Sequence, residues 1–200
     1  MHEKIYRIAW SLVRPVYSVL FCRRIFGLEH LPETGGFILC ANHISARDPL
    51  FIASAVPKDR QLTFLAKKEL FASAPLAKVL HLVGAIPVDR GKADLAAMRS
   101  AFKAVKDGFG LMIFPQGTRS RDNSRMPFLT GASMIALRAG VPVIPAYISG
   151  PYRLLRRTDV RFGAPLDFSD LGSRVDAAMM EAATRRIEDA VWNLRDSTEN

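Results

Sequence analysis

The spacing of hydrophobic residues alternates between two periods along most of the chain. Past residue 30, short apolar runs typical of strands are separated by segments whose apolar residues recur at helical spacing. The runs predict strands at 37–41, 62–66, 84–88, 111–114, 141–148 and 160–164. The helical segments lie at 49–56, 68–82, 93–107, 130–139 and 174–194. This alternation predicts an α/β fold, with a single mixed or largely parallel sheet flanked by helices.

The first residues predict an amphipathic helix rather than a membrane span. Arg7, Arg14 and Pro15 interrupt any run of about 18 apolar residues, the length that a spanning helix needs. One face of this helix carries polar residues, which are Arg7, Ser11, Arg14 and Ser18. Another face carries apolar residues, which are Ile5, Ile8, Ala9, Leu12, Val16 and Leu20. Such a helix can lie among lipid headgroups or pack on its own domain. We predict a membrane-docking segment at 1–28 and the main domain at 29–200.

The charge pattern favours an anionic partner. The chain has 28 Lys and Arg against 19 Asp and Glu, a net charge of +9. Residues 1–26 carry a local excess, and a second basic cluster is formed by Arg153, Arg156, Arg157 and Arg161. These cations are not interleaved with aromatic residues that could stack on bases, and no recognition motif is present, so we predict no nucleic-acid partner. An acidic membrane surface and phosphorylated substrates remain as the anionic partners that the charge predicts.

Cysteines and histidines exclude two further classes of site. The two cysteines, Cys22 and Cys40, do not make a disulfide framework, which fits a reducing compartment. His2, His30 and His81 show no paired spacing that could complete a metal site with His43. We therefore predict neither a disulfide-stabilised fold nor a bound metal.

The most informative motif follows the first predicted strand of the main domain. It places His43 in a loop directly after an apolar run and Asp48 five residues later, just before Pro49. A turn between them would let the carboxylate hold one ring nitrogen while the other accepts a proton. Asp48 could equally be an ordinary helix N-cap and His43 a structural residue. Spacing alone leaves both readings open.

Three further strand ends carry groups suited to phosphate. The strand at 111–114 opens into Gly117, Thr118 and Arg119, which offer close backbone approach, a hydroxyl donor and a guanidinium fork. Lys67 and Arg90 follow the ends of two other predicted strands. Convergence of these cations would make an anion site, whereas a plain turn with solvated charges is the alternative.

Four blocks in order resemble those of the glycerolipid acyltransferases, from about residue 30 to 165. They are His43 to Asp48, Gly84 to Arg90, Phe114 to Arg119, and Val141 to Pro145. In size and detail the chain is most similar to the 1-acylglycerol-3-phosphate acyltransferases, especially bacterial ones. The resemblance implies a helix-flanked α/β sheet with an N-terminal membrane-docking segment, and makes 29–200 the acyltransferase domain.

The resemblance also implies roles for individual residues. His43 would be the general base and Asp48 would orient it. Arg90 and Arg119 would bind the phosphate of the acceptor, with Gly117 and Thr118 in the same block as Arg119. Lys67 matches a lysine found near that site in the family. One departure is Gln116, where the family usually has glutamate, so a function that needs a carboxylate there would be lost.

The implied reaction moves a fatty acyl group from acyl-CoA or acyl-carrier protein to the sn-2 hydroxyl of 1-acylglycerol-3-phosphate, giving phosphatidate. It needs no cofactor and no metal. The implied partners are an anionic membrane surface and a lysophospholipid acceptor, at the cytoplasmic face of the cell membrane, with the protein peripheral or monotopic. Acylation of another lysolipid or of glycerol-3-phosphate, and a non-catalytic lipid-binding relative, are the alternatives.

Overall fold

The computed structural model describes residues 3–89, 94–120, 122–172 and 174–196, with the side chains of residues 3–5 left undescribed. Seven strands and six α-helices make up the described chain. The strands are β1 Arg24–Phe26, β2 Phe37–Ala41, β3 Leu62–Lys67, β4 Ala85–Val88, β5 Gly110–Ile113, β6 Val143–Ile148 and β7 Asp159–Phe162. The helices are α1 Glu3–Leu20, α2 Asp48–Ala53, α3 Ala74–Leu82, α4 Leu95–Lys106, α5 Gly131–Ala139 and α6 Ala177–Asp196.

The strands form one mixed sheet in the order β1-β7-β6-β2-β5-β3-β4. Every neighbouring pair is parallel except β6 and β7, which are antiparallel. The predicted single sheet flanked by helices is therefore confirmed. Because β2 to β6 all run in the same direction, their carboxyl ends lie along one edge of the sheet, and ligands of open α/β sheets bind at that edge.

Both faces of the sheet are covered, which explains why the central strands are continuous apolar runs. In β2, Phe37 and Leu39 face one hydrophobic cluster while Ile38 and Cys40 face the other. The first cluster includes buried residues of α2 and the side chain of Phe21. The second contains buried residues of α4, α5 and α6. The two layers of helices hold β2 rigidly, and the loop that follows β2 carries His43.

Two elements differ from the sequence prediction. The single helix predicted at 68–82 is a short 3-10 helix, Lys68–Ala72, followed by α3, because Pro75 suits the first turn of a new helix. The strand β1 was missed: Arg24–Phe26 is only three residues long and half exposed, so it has no apolar run. Its pairing with β7 means that the segment 1–28 contributes a strand to the sheet.

The helix α1 packs on the domain through one face and exposes another. Tyr6 is buried, and the indole N–H of Trp10 donates to the carbonyl of Val56 at 2.8 Å. Ile8, Leu12, Val16 and Val19 form an apolar stripe on the other side, each about half or more exposed. In the part of the chain that the structure describes, no helix has the length and hydropathy needed to cross a bilayer.

Candidate active site

The loop after β2 brings His43 and Asp48 into direct contact. Asp48 is fully buried at the start of α2, and its Oδ2 atom lies 2.7 Å from His43 Nδ1. The same oxygen accepts from the backbone N–H groups of Ile44 and Ser45, at 2.7 and 2.9 Å. Since Oδ2 already acts as an acceptor for two amides, Nδ1 must be the donor of the third bond. His43 is thereby held with its Nε2 atom as the proton acceptor.

A tyrosine completes the hydrogen bonding of Asp48. The hydroxyl of Tyr152 donates to the Oδ1 atom of Asp48 at 2.8 Å. Burial, reinforced by the neighbouring carboxylate, raises the pKa of Tyr152 well above its ordinary value, so the hydroxyl remains a donor. The Asp48 carboxylate therefore has four donors in a buried position, which offset the cost of removing a charge from water.

The segment that follows β5 holds both the ring and the backbone of His43. Its ring stacks on Phe114, which follows β5, with ring centroids 4.2 Å apart. Its backbone N–H donates to Oε1 of Gln116 at 2.6 Å, and its carbonyl accepts from the N–H of Ser120 at 2.8 Å. The loops after β2 and β5 are thus joined at the site.

The contact of Gln116 clarifies its departure from the family pattern. The side chain is buried, and the atom in use is the amide oxygen, which a glutamine and a glutamate both have. Holding the loop of His43 therefore does not require the negative charge. Among the described residues, the Nε2 atom of Gln116 has no hydrogen-bond partner.

Asn42 joins the ends of β2 and β6 beside the histidine. Its side-chain oxygen accepts from the N–H of Ile148 at 2.8 Å, and its nitrogen donates to the carbonyl of Ile148 at 3.0 Å. The nitrogen also donates to Asn123 at 2.8 Å, and Asn123 in turn donates to the hydroxyl of Tyr147. This network fixes the strand end from which His43 projects.

The Gly-Thr-Arg segment forms an exposed turn after β5. Gly117 has a φ of 69°, a left-handed conformation that favours glycine, whereas the nearest atom to a Cβ there would be the tip of the exposed and movable Leu129 side chain. Its N–H donates to the carbonyl of Phe114 at 3.1 Å. Thr118 and Arg119 are exposed, and the next residue, Ser120, bonds the carbonyl of His43.

The other predicted cations are less closely tied to this site. Lys67 lies at the end of β3, exposed, and its ammonium is 3.2 Å from Glu69. Since β3 is two strands from β2, this strand end lies about 10 Å from the end of β2. Arg90 lies outside the described residues. No group of three or more potential metal ligands among His, Cys, Asp and Glu occurs within the described part of the chain.

A polar cleft of about 500 Å³ opens beside the His43–Asp48 dyad. Its lining includes Ser45, Arg47, Asn123 and Tyr152, from the loops after β2, β5 and β6. Sequence reasoning missed Arg47, Asn42 and Tyr152. Asn42 directly precedes His43 and Arg47 directly precedes Asp48, so both could have been found by their position in the loop after β2. Nothing local marks Tyr152, which is 104 residues from Asp48 along the chain.

Known proteins share both the sequence pattern and the fold. A family model described as acyltransferase matches residues 22–149. A 1-acyl-sn-glycerol-3-phosphate acyltransferase of Bacillus subtilis (strain 168) is 29% identical over 194 residues, covering 92% of this chain and 96% of that protein. One from Streptococcus pneumoniae is 32% identical over 168 residues, covering 81% of this chain and 61% of that protein.

A solved structure agrees with the architecture. The crystal structure of the 1-acyl-sn-glycerophosphate (LPA) acyltransferase PlsC from Thermotoga maritima matches with a TM-score of 0.75 at 23% sequence identity. The match covers 95% of this chain and 79% of that chain, and at this identity it supports the fold alone. The family match, in contrast, spans well over half of the sequence, including the dyad and the turn after β5. The chain therefore belongs to the acyltransferase family.

Proposed function

We propose that the protein transfers a fatty acyl group from a thioester donor to the sn-2 hydroxyl of 1-acylglycerol-3-phosphate, giving phosphatidate. The observation that carries the proposal is the buried His43–Asp48 pair, which directs Nδ1 to the carboxylate and leaves Nε2 to accept a proton. The names of the relatives supply the acceptor. The donor is acyl-CoA or acyl-carrier protein, which enter as substrates.

The proposed reaction is a direct transfer. His43 Nε2 takes the proton of the acceptor hydroxyl as its oxygen attacks the thioester carbonyl. The carbon–sulfur bond then breaks, the ester forms, and the departing thiolate receives the proton from the imidazolium. Asp48 stabilises the imidazolium while it exists. The scheme uses no covalent enzyme intermediate, metal or cofactor, so most of the catalytic effect comes from the base and from positioning.

Binding of the acceptor phosphate falls to the turn after β5 in this proposal. Arg119 is exposed and one residue from Ser120, whose N–H bonds the carbonyl of His43. A guanidinium there can hold a phosphate beside the base in fork geometry, with the Thr118 hydroxyl as a further donor. Gly117 shapes this turn, and its own N–H is used inside the turn. Lys67, at the end of β3, and Arg90 keep their proposed roles as further cations that bind the phosphate.

The proposed location is the cytoplasmic face of the cell membrane, with the protein peripheral or monotopic. The exposed stripe of α1 supports contact with an anionic bilayer, since Arg7 and Arg14 lie on a neighbouring face of the same helix. Deleting residues 1–26 would also remove β1 and uncover the core beneath Tyr6. The sharper test replaces Leu12 and Val16 by serine. Loss of binding to anionic vesicles supports the contact, and unchanged binding contradicts it.

The test of the reaction is thiol release by the purified chain, with palmitoyl-CoA or palmitoyl-carrier protein and a panel of acceptors. A positioned general base contributes about 10²–10⁴ in rate, so His43→Ala should lose at least that factor. The panel includes 1-acylglycerol-3-phosphate, glycerol-3-phosphate and other lysolipids. Release that depends on the first acceptor and on His43 supports the proposal. A His43→Ala variant with wild-type turnover would rule out the proposed mechanism. Preference for another acceptor in the panel would show that this other acceptor is the substrate.

A further inference from the structure

The loop between β6 and β7 exposes two large apolar side chains at its tip. Leu154 and Leu155 are each 66% exposed, and Leu155 has a φ of 55°, a left-handed conformation that is unusual for leucine. Arg153, Arg156 and Arg157 flank the pair and are exposed as well. Two adjacent leucines surrounded by cations combine apolar area with positive charge, as membrane-surface elements do.

This tip is joined to the end of α1. The N–H of Leu155 donates to the carbonyl of Leu20 at 2.7 Å, and the N–H of Thr158 donates to the carbonyl of Phe21 at 3.0 Å. Leu20 is itself partly exposed, at the end of the stripe that includes Val16 and Val19. The exposed leucines of the loop therefore lie next to the end of the apolar stripe of α1.

The base of the same loop is anchored at the active site. Tyr152 bonds Asp48, and its ring packs against Phe51 and Phe21 at centroid distances of 4.9 and 5.3 Å. Only one residue separates Tyr152 from the first leucine. A contact made by the tip is thus made within a few residues of the group that positions the dyad.

We propose that residues 153–157 are a second membrane-contact element. Leu154 and Leu155 insert into the interfacial region of an anionic bilayer, and the three arginines contact lipid phosphates. The charge complementarity with anionic headgroups, and the continuity with the stripe of α1, select a lipid surface over a protein partner. The inference rests on the proposed membrane location of the reaction, but its test measures binding and does not depend on acyl transfer.

The experiment uses the full chain and sedimentation with vesicles of phosphatidylglycerol and phosphatidylcholine, or of phosphatidylcholine alone. One variant is Leu154→Ser with Leu155→Ser. The matched control is Leu95→Ser, a residue 67% exposed at the start of α4, on the opposite face of the sheet. A third variant replaces Arg153, Arg156 and Arg157 by glutamine. Thermal melting of each variant confirms that the fold is intact.

The double leucine variant should bind anionic vesicles about tenfold or more weakly, because each buried methylene contributes roughly fourfold. The arginine variant should lose affinity for anionic vesicles by about fivefold for each cation removed, and the loss should fall at high salt. Leu95→Ser should bind like the wild type. Unchanged binding of the double leucine variant, or an equal loss in Leu95→Ser, would overturn the inference. A wild type that binds vesicles but releases no thiol would refute acyl transfer and leave this contact standing.

Discussion

The hydroxyl of Tyr152 lies 2.8 Å from Asp48 Oδ1, on the side of the carboxylate opposite the oxygen that His43 uses. The hydrogen bond of the Tyr152 hydroxyl is made to Asp48 and not to the histidine ring, and in the proposed reaction Tyr152 does not contact the reacting atoms. It is therefore a positioning residue, which acts by holding the carboxylate that holds the base. This relationship extends the two-residue motif visible in the sequence to a three-residue arrangement.

Tyr152→Phe should lower kcat about tenfold while leaving the KM for the acceptor unchanged. The substitution leaves a buried carboxylate oxygen without a donor, which also costs about 1–3 kcal/mol of folding free energy. Steady-state kinetics and urea unfolding measure the two effects. Tyr17→Phe is the control, since the ring of Tyr17 packs in the same aromatic cluster against Phe21 and Phe51. Equal kinetics for Tyr152→Phe and the wild type would remove the positioning role.

Gln116→Glu should retain activity, whereas Gln116→Leu should not. The glutamate keeps an oxygen for the N–H of His43, and the leucine leaves that buried N–H unpaired at a cost of about 1–3 kcal/mol. Thiol-release rates and urea midpoints of both variants provide the comparison. An inactive Gln116→Glu would show that the neutral amide itself is required, and a fully active Gln116→Leu would show that the contact is dispensable.

Arg119→Gln should raise the KM for 1-acylglycerol-3-phosphate about tenfold, because it removes a charge-assisted contact with phosphate. The KM for the thioester donor should not change. Arg138→Gln, an exposed cation on α5, is the matched control. The variant should also discriminate less between this acceptor and a 1-acylglycerol without phosphate. If discrimination persists, another cation binds the phosphate, and Arg90 is the next residue to replace.

Asp159→Asn should destabilise the protein at neutral pH, and the loss of stability should be smaller at acidic pH. Arg24 holds this carboxylate with two hydrogen bonds of 2.9 and 2.7 Å, and these bonds lower the pKa of Asp159. A lowered folded-state pKa gives stability that is complete above the unfolded value of about 3.9 and is lost as the pH falls through the folded value.

The urea midpoint of Asp159→Asn should therefore lie about 0.5 M below that of the wild type at pH 7, with a smaller difference at pH 3. Asp107→Asn, in the exposed pair with Lys103, should change the midpoint less. A difference for Asp159→Asn that is equal at both pH values would show that its cause is packing rather than charge.

The sequence predicts best those elements whose burial is nearly complete. The strands β2, β5 and β6 are buried on both faces, so they stand out as apolar runs. The edge strand β1 does not, since Arg24 and Phe26 are exposed and only its pairing with β7 defines it. The pattern of apolar residues reports which strands are buried but not the direction in which each strand runs. The antiparallel direction of β7 could therefore not be predicted from it.

The same distinction holds at the active site. His43 and Asp48 are five residues apart, so local geometry alone can bring them together. Asn42 meets Ile148 across 106 residues, and Tyr152 meets Asp48 across 104, so both contacts depend on how the sheet is ordered. Periodicity and spacing carry no information about such contacts.

The reversal of one strand determines where the last loop of the sheet lies. Because β7 is antiparallel to β6, their connection stays at the edge where β2 and β5 end, whereas a parallel strand would need a crossover to the opposite edge. Seven residues of this hairpin, 152–158, thus include both Tyr152 and the leucine tip. Replacing this hairpin by that of another member of the family would therefore change two things at once: the residue that holds Asp48 and the exposed residues of the tip.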